Sequence, residues 1–212
     1  MEWLTNHSAA INAFSGLCTL LVWLFYAQLL YLNFRRQRKP KVIINRGGSR
    51  GLKAHCVISN MSPESIFIEH IIAVIETSEA SYSRNLIDTK DEESTDDDSS
   101  APLVKTTRQG PMASGSFDRI GTFEDIIQYV LQLQDLSAKS NTLSDESTLV
   151  AIELRVIAIY GSEDAPIGSV RRFELKEEDE GYSLIPTSLD TRRYASRRNR
   201  HKVRQWMRDL ET

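Results

Sequence analysis

The chain has 212 residues, a net charge of −3 and two cysteines. About 170 of those residues follow an N-terminal apolar run, enough for one domain with its own core. Cys18 lies inside that run and Cys56 is the only other cysteine, so the remainder cannot close an internal disulfide and a cross-linked secreted scaffold is excluded.

Leu4 to Phe34 contains no Lys, Arg, Asp or Glu, whereas RRQRKPK, at 35–41, holds five positive charges. At about 1.5 Å rise per residue, about 20 apolar residues cross a hydrocarbon layer of about 30 Å, and the run from Ala9 to Phe34 exceeds that. Each central Leu, Val or Phe favours insertion by roughly 0.3–0.6 kcal/mol, enough together to outweigh Asn12, Ser15, Thr19 and Gln28. Trp3 at one end and Tyr31 at the other suit the two interfaces. A cleaved signal peptide would need a basic leader and a small-residue cleavage site; here Glu2 precedes the run and RRQRK follows it. The reading is a short external N-terminus (1–8), a transmembrane helix (9–34) and a basic collar (35–41) of Arg35, Arg36, Arg38, Lys39 and Lys41. The positive-inside rule then places everything after the helix in the cytoplasm, at the inner membrane if the cell is bacterial.

Asn12, Ser15, Gly16, Thr19 and Tyr26 share one helical stripe. Small and polar residues let helices approach and hydrogen-bond in lipid, so the stripe is read as a face for self-association or for a membrane partner. The alternative is a set of polar residues tolerated in a lone span.

Charge is segregated after the anchor. Residues 35–50 carry +7, residues 51–188 carry −14 and residues 189–212 carry +5. The collar fits the anionic inner leaflet, where each nearby cation contributes about 1 kcal/mol.

The cytoplasmic domain is read over 42–187. Val42 to Asn45 predicts a first strand, GGSRG a turn, and Leu52 to Ser59 a half-buried alternating strand. IFIEHIIAVIET, at 66–77, is β-branched and apolar on both faces, and Tyr82 to Asp88 predicts another strand. Residues 89–101 are acid-rich with nothing to bury and read as a disordered loop. Leu103 to Arg108 is a further strand candidate and QGPMASGS a loop. Thr122 caps a helix with Glu124 and Asp125 in its first turn; Phe123, Ile126, Ile127, Val130 and Leu131 keep a helical repeat to about 136. Val150 to Tyr160 alternates clearly, GSEDAPIG turns it into a hairpin strand at Val170 to Leu175, and KEEDEG, at 176–181, reads as acidic loop.

Strands, one helix, then a hairpin give no strand–helix–strand alternation, which argues against a doubly wound nucleotide fold. The expectation is a mainly-β (α+β) domain: an antiparallel immunoglobulin-like sandwich, with a small β-barrel as the alternative. The Cys…Trp…Cys signature of true immunoglobulin domains is absent, since no Trp lies between Trp23 and Trp206.

Residues 188–212 predict a basic amphipathic helix over about 188–210. Val203, Trp206, Met207 and Leu210 form its apolar stripe, and Arg197, Arg198, Arg200, Lys202, Arg204 and Arg208 most of the rest. Three uses compete: lying on an anionic membrane with Trp206 in the interface, binding a polyanion, or packing on the acidic body. No nucleic-acid module accompanies the helix, so nucleic acid is disfavoured.

No catalytic, cofactor or metal motif is present. His7, His55, His70 and His201 lack metal-ligand spacing, Cys56 has no C-x-x-C companion, and GGSRG lacks the Lys and the strand-to-helix context of a phosphate loop. The functional expectation is a membrane-anchored, non-enzymatic binding or scaffold domain with the bilayer and a cytoplasmic protein as partners. A sensor or effector that oligomerises through its membrane helix is the second reading, and an enzyme with an unrecognised site the third.

Overall fold

The computed structural model describes residues 7–37, 39–87, 107–137, 148–161, 163, 165–178, 181–196 and 198–211. The expected acidic loop at 89–101 and most of the expected strand at 103–108 lie outside them. The chain divides into two units, Met1–Lys39 and Pro40–Thr212.

The first unit is helix α1, Ser8–Gln37, which matches the expected anchor with one further turn at its basic end. From Ser8 to Phe34 it is long and apolar enough to cross a membrane, and no side chain over those residues is buried.

The second unit is an antiparallel β domain. Its strands are β1 Val42–Gly47, β2 His55–Asn60, β3 Ile66–Thr77, β4 Ser81–Asn85, β5 Gly110–Met112, β6 Phe117–Thr122, β7 Leu149–Tyr160, β8 Ile167–Glu178, β9 Gly181–Pro186 and β10 Arg192–Tyr194; helices α2, Phe123–Ser137, and α3, Arg200–Glu211, complete it. A small sheet runs β1-β2-β6 and a large one runs β10-β8-β7-β3-β4. Three twelve-residue strands, β3, β7 and β8, form the centre of the large sheet. Its two flanks are each made of two short strands end to end: β4 and β5 on β3, β9 and β10 on β8. Short flanking strands limit the run of unpaired backbone that a long edge would present. Among the described residues neither sheet closes into a barrel.

One core lies between the sheets. Ile44, Cys56, Ile58 and Ile120 from the small sheet meet Ile71, Ala73, Ile152, Leu154, Val156 and Phe173 from the large one. Helix α2 adds Phe123, Ile126, Ile127 and Val130, with the Phe123 ring edge-on to Phe173 at 5.1 Å. Its start is a reciprocal cap: the Asp125 amide donates to Thr122 Oγ1 at 3.1 Å, and the Thr122 amide donates to Asp125 Oδ2 at 3.1 Å.

The large sheet is also covered on its outer face. Ile72, Val74, Ile157, Val170 and Tyr194 form a second apolar cluster with Val203, and Trp206, Met207 and Leu210 pack against it. The apolar stripe of α3 therefore lies on the sheet, which explains why β3 is apolar on both faces. Gly168 makes this docking close: a Cβ there would stand 2.8 Å from both Val203 Cγ2 and Trp206 Cζ3.

Several local expectations are corrected. The C-terminal helix begins at Arg200, not near 188; the described residues before it, 188–196 and 198–199, hold bends, turns and β10. Leu52 to Ala54 is a turn before β2 rather than part of the strand. Strand β5 occupies the expected QGPMASGS loop, β6 was not anticipated, and the expected acidic loop at 176–181 contributes its first three residues to β8 and its last to β9. Each of these strands is too short or too polar to alternate visibly, and pairing with a longer neighbour supplies what its own sequence lacks.

Candidate functional site

On α1, the stripe residues Asn12, Ser15, Gly16, Thr19 and Tyr26 fall within one face and are all exposed. The Thr19 hydroxyl donates to the Ser15 carbonyl at 2.8 Å, so its hydrogen bond is made inside its own helix. A Cβ at Gly16 would meet open space, which leaves room for close approach of another helix. In the collar, Arg35 and Arg36 belong to the last turn of α1, Lys39 and Lys41 are exposed beyond it, and Arg38 lies outside the described residues.

In the tail, Arg197 is likewise outside the described residues. Arg200 pairs with Glu163 and donates to the Ala195 carbonyl at 2.9 Å, so it anchors the start of α3. Trp206 is half-buried, edge-on to Tyr194 at 5.1 Å, with the Arg155 guanidinium 5.0 Å from its ring. Lys202 stands 6.0 Å over Tyr194. Arg198, Arg204 and Arg208 are exposed. The apolar stripe and the basic residues thus separate: the first faces the sheet, and most of the second faces outward.

An open cleft of about 610 Å³ lies between the turn after β1 and the β8–β9 hairpin. Arg50, Lys53, Glu124 and Glu178 line it with Tyr182 and Ser183. Backbone bonds hold its floor: the Leu184 amide donates to the Arg50 carbonyl at 2.8 Å, and the Glu124 amide to the Leu52 carbonyl at 3.0 Å. Two cations and two carboxylates suit a mixed-charge contact. Among the described residues no group of three His, Cys, Asp or Glu could hold a metal ion.

Cys56, Glu76, Arg171 and Arg172, whose protonation the fold displaces, do not line the cleft. Burial pushes the Cys56 thiol up to about 12, which keeps it protonated and unreactive. The Arg172 guanidinium, with Nη2 2.6 Å from Glu76 Oε2, holds the Glu76 carboxyl below its usual range and is itself pushed up by that partner. The pair sits in a cross-strand charge array with Glu153 and Arg155, themselves 2.7 Å apart.

Among the described residues Arg171 is the buried cation of the domain. Its Nη1 donates to the Ile44 carbonyl at 2.8 Å and its Nη2 to the Leu189 carbonyl at 3.2 Å, while Thr191 Oγ1 accepts from the Ile44 amide at 2.9 Å. These side chains close the free edge of β1. Burial pushes the Arg171 pKa down, although Asp190 opposes it. No motif in the sequence marks this role, because the Ile44 carbonyl that Arg171 meets is a backbone atom 127 positions away.

A second polar hub sits where the chain enters the domain. Asn60 is fully buried; its Nδ2 donates to the carbonyls of Glu64 (3.0 Å), Met112 (3.0 Å) and Ala113 (3.1 Å), and its Oδ1 accepts from the Ser62 amide at 2.9 Å. Beside it, Met61 and Phe117 are exposed by 54% and 61%. Two of the asparagine's four partners, the Met112 and Ala113 carbonyls, lie 52 and 53 positions away, so no local pattern marks it.

Compared with protein-family models, characterised proteins and solved structures, the chain matches none.

Proposed function

We propose that the protein is a single-pass membrane protein whose β domain works as a cytoplasmic binding module, without a catalytic step. The observation that carries this reading is α1: a span of 27 residues without a charge, none of them buried, ending in a basic collar. Such a surface is stable only against lipid or another apolar body. The collar supports an orientation with the β domain on the cytoplasmic side, by the positive-inside rule. A short tether then raises the domain's effective concentration toward partners at that surface.

Two antiparallel sheets around a shared core support the immunoglobulin-like comparison, although three and seven strands depart from the usual division. The exposed basic residues Arg198, just before α3, and Arg204, within it, support an anionic protein partner.

Membrane extraction and protease access test the reading together. The protein is expected to stay with membranes through alkaline carbonate, and its β domain to resist external protease on sealed cells. Release by carbonate removes the anchor, and external cleavage within 40–212 reverses the orientation.

The polar stripe at Asn12, Ser15, Gly16 and Thr19 favours a second reading, an effector that oligomerises through α1. Ser15→Cys in a Cys18→Ala background should form a disulfide dimer in oxidised membranes. A strictly monomeric span removes that reading.

A further inference from the structure

The chain enters the β domain at Pro40, and the residues around this entry are tied together by backbone and side-chain bonds. Arg193 Nη1 donates to the Pro40 carbonyl at 2.9 Å. The Lys41 amide donates to Ser62 Oγ, and the Met61 amide donates to the Lys41 carbonyl, both at 2.8 Å. The Asn60 amide donates to the Ser116 carbonyl at 2.9 Å, and the Gly115 amide returns a bond to the Asn60 carbonyl at 2.8 Å. Phe117 then stands opposite Ser59 in the β2–β6 ladder. Two loops, 60–65 and 113–116, are therefore locked beside the entry point, with the buried Asn60 amide stitching them together.

These loops carry features of an interfacial surface. Met61 and Phe117 are more than half exposed, although each is large and apolar. Lys39, Lys41, Arg193 and Arg119 supply four exposed cations in the surrounding chain, against the two carboxylates of Glu64 and Asp118. Glu64 is turned toward Gly161, and Asp118 accepts from the Arg119 amide at 2.8 Å.

Chain length brings this surface to lipid. Only four residues, 38–41, separate the end of α1 at Gln37 from the start of β1 at Val42. Fully extended, four residues reach about 14 Å. With α1 across the bilayer, Lys41 cannot leave the headgroup region by more than about that distance, whatever angle the domain takes.

We propose that the entry face of the β domain docks on the anionic inner leaflet, with the side chains of Met61 and Phe117 inserted at the headgroup boundary and Lys39, Lys41 and Arg193 against lipid phosphates. This rests on α1 spanning the membrane, and it goes further by assigning the domain a fixed seat in place of a free swing. Apolar side chains inserted about 5–10 Å deep and flanked by cations are the usual means of such attachment. The locked 60–65 loop presents Met61, and the paired start of β6 presents Phe117, without an ordering cost at the moment of docking.

The test uses the full chain in nanodiscs of mixed phosphatidylcholine and phosphatidylglycerol. An environment-sensitive dye is attached in a Cys18→Ala background at Met61→Cys, Phe117→Cys or Ala80→Cys. Ala80 lies in the β3–β4 turn, at the far end of the twelve-residue β3 from the 60–65 loop. Quenching by lipids brominated on their upper acyl carbons is expected to be at least about twofold stronger at 61 and 117 than at 80. Equal, weak quenching at all three sites in protein that still co-purifies with the nanodiscs overturns the docking while leaving the anchor intact. Failure of the protein to associate with nanodiscs overturns both.

Discussion

Alanine at position 168 tests how closely α3 is seated on the large sheet. The new Cβ would stand 2.8 Å from Val203 Cγ2 and from Trp206 Cζ3, and 3.4 Å from Tyr194 Cβ. Carbon atoms pack best at about 3.5–4.0 Å, so the helix must retreat by at least about 0.7 Å on two of its contacts. Neither yields easily: Val203 is fully buried and stiff at χ1, and the Trp206 ring is held edge-on to Tyr194. A retreat of that size forfeits about a quarter to a half of each affected dispersion contact, and overpacking of this kind costs about 1–3 kcal/mol. If the strain is relieved by undocking, the population of the open helix rises about 5- to 150-fold. Hydrogen exchange of the full chain in detergent, followed by mass spectrometry over 200–211, reads that ratio directly. Loss of protection should be confined to α3, since β8 keeps its ladder to β7. Val203→Ala removes one of the two obstructing atoms, so its own cost should shrink in the Gly168→Ala background. Unchanged protection in the glycine variant, or strictly additive effects in the pair, would refute the close seating.

Two further outcomes follow from buried or paired polar groups. Asn60→Asp keeps the size of the side chain but turns a double donor into an acceptor facing three carbonyls; the loss should be at least about 3 kcal/mol in a urea titration, and a cost below 1 kcal/mol would show that the hub is not made. Glu76 is held ionised by Arg172, so its folded pKa lies below its unfolded value near 4.3. The stability it contributes is therefore present above about pH 4.3 and fades as pH falls through the folded value. Because the pair is about one-third exposed, Glu76→Gln should lower stability by no more than about 1 kcal/mol at pH 7. That difference should shrink as pH falls below about 4.3 and close once pH passes the folded value, and a gap independent of pH would assign the loss to packing instead.

The long elements were legible because each carries its own period. Ser8–Phe34 is predominantly apolar and carries no charge, β7 alternates for twelve residues, and α2 announces itself with Thr122, Glu124 and Asp125 before a helical repeat. β5, β6, β9 and β10 lack a signal because three to six residues are too few to show one, and their backbone partners lie on other strands. The same distance hid Arg171 and Asn60. A buried donor is recognised by the carbonyls it meets, and Arg171 meets Ile44 across 127 positions.

By itself, the order of residues determined what must be hidden: a stretch from Ser8 to Phe34 that calls for lipid, a strand at 66–77 greasy on both sides, and an amphipathic stripe of Val203, Trp206, Met207 and Leu210. It could not say what hides them, because hydrophobic burial is non-directional and any apolar surface of the right size would serve. Only the tertiary structure decided that the last two satisfy each other. The stripe covers the second side of β3 together with β7 and β8, through the gap left by the missing side chain of Gly168. That pairing half-buries Trp206 against the sheet, while Met61 and Phe117 stay more than half exposed beside the tether.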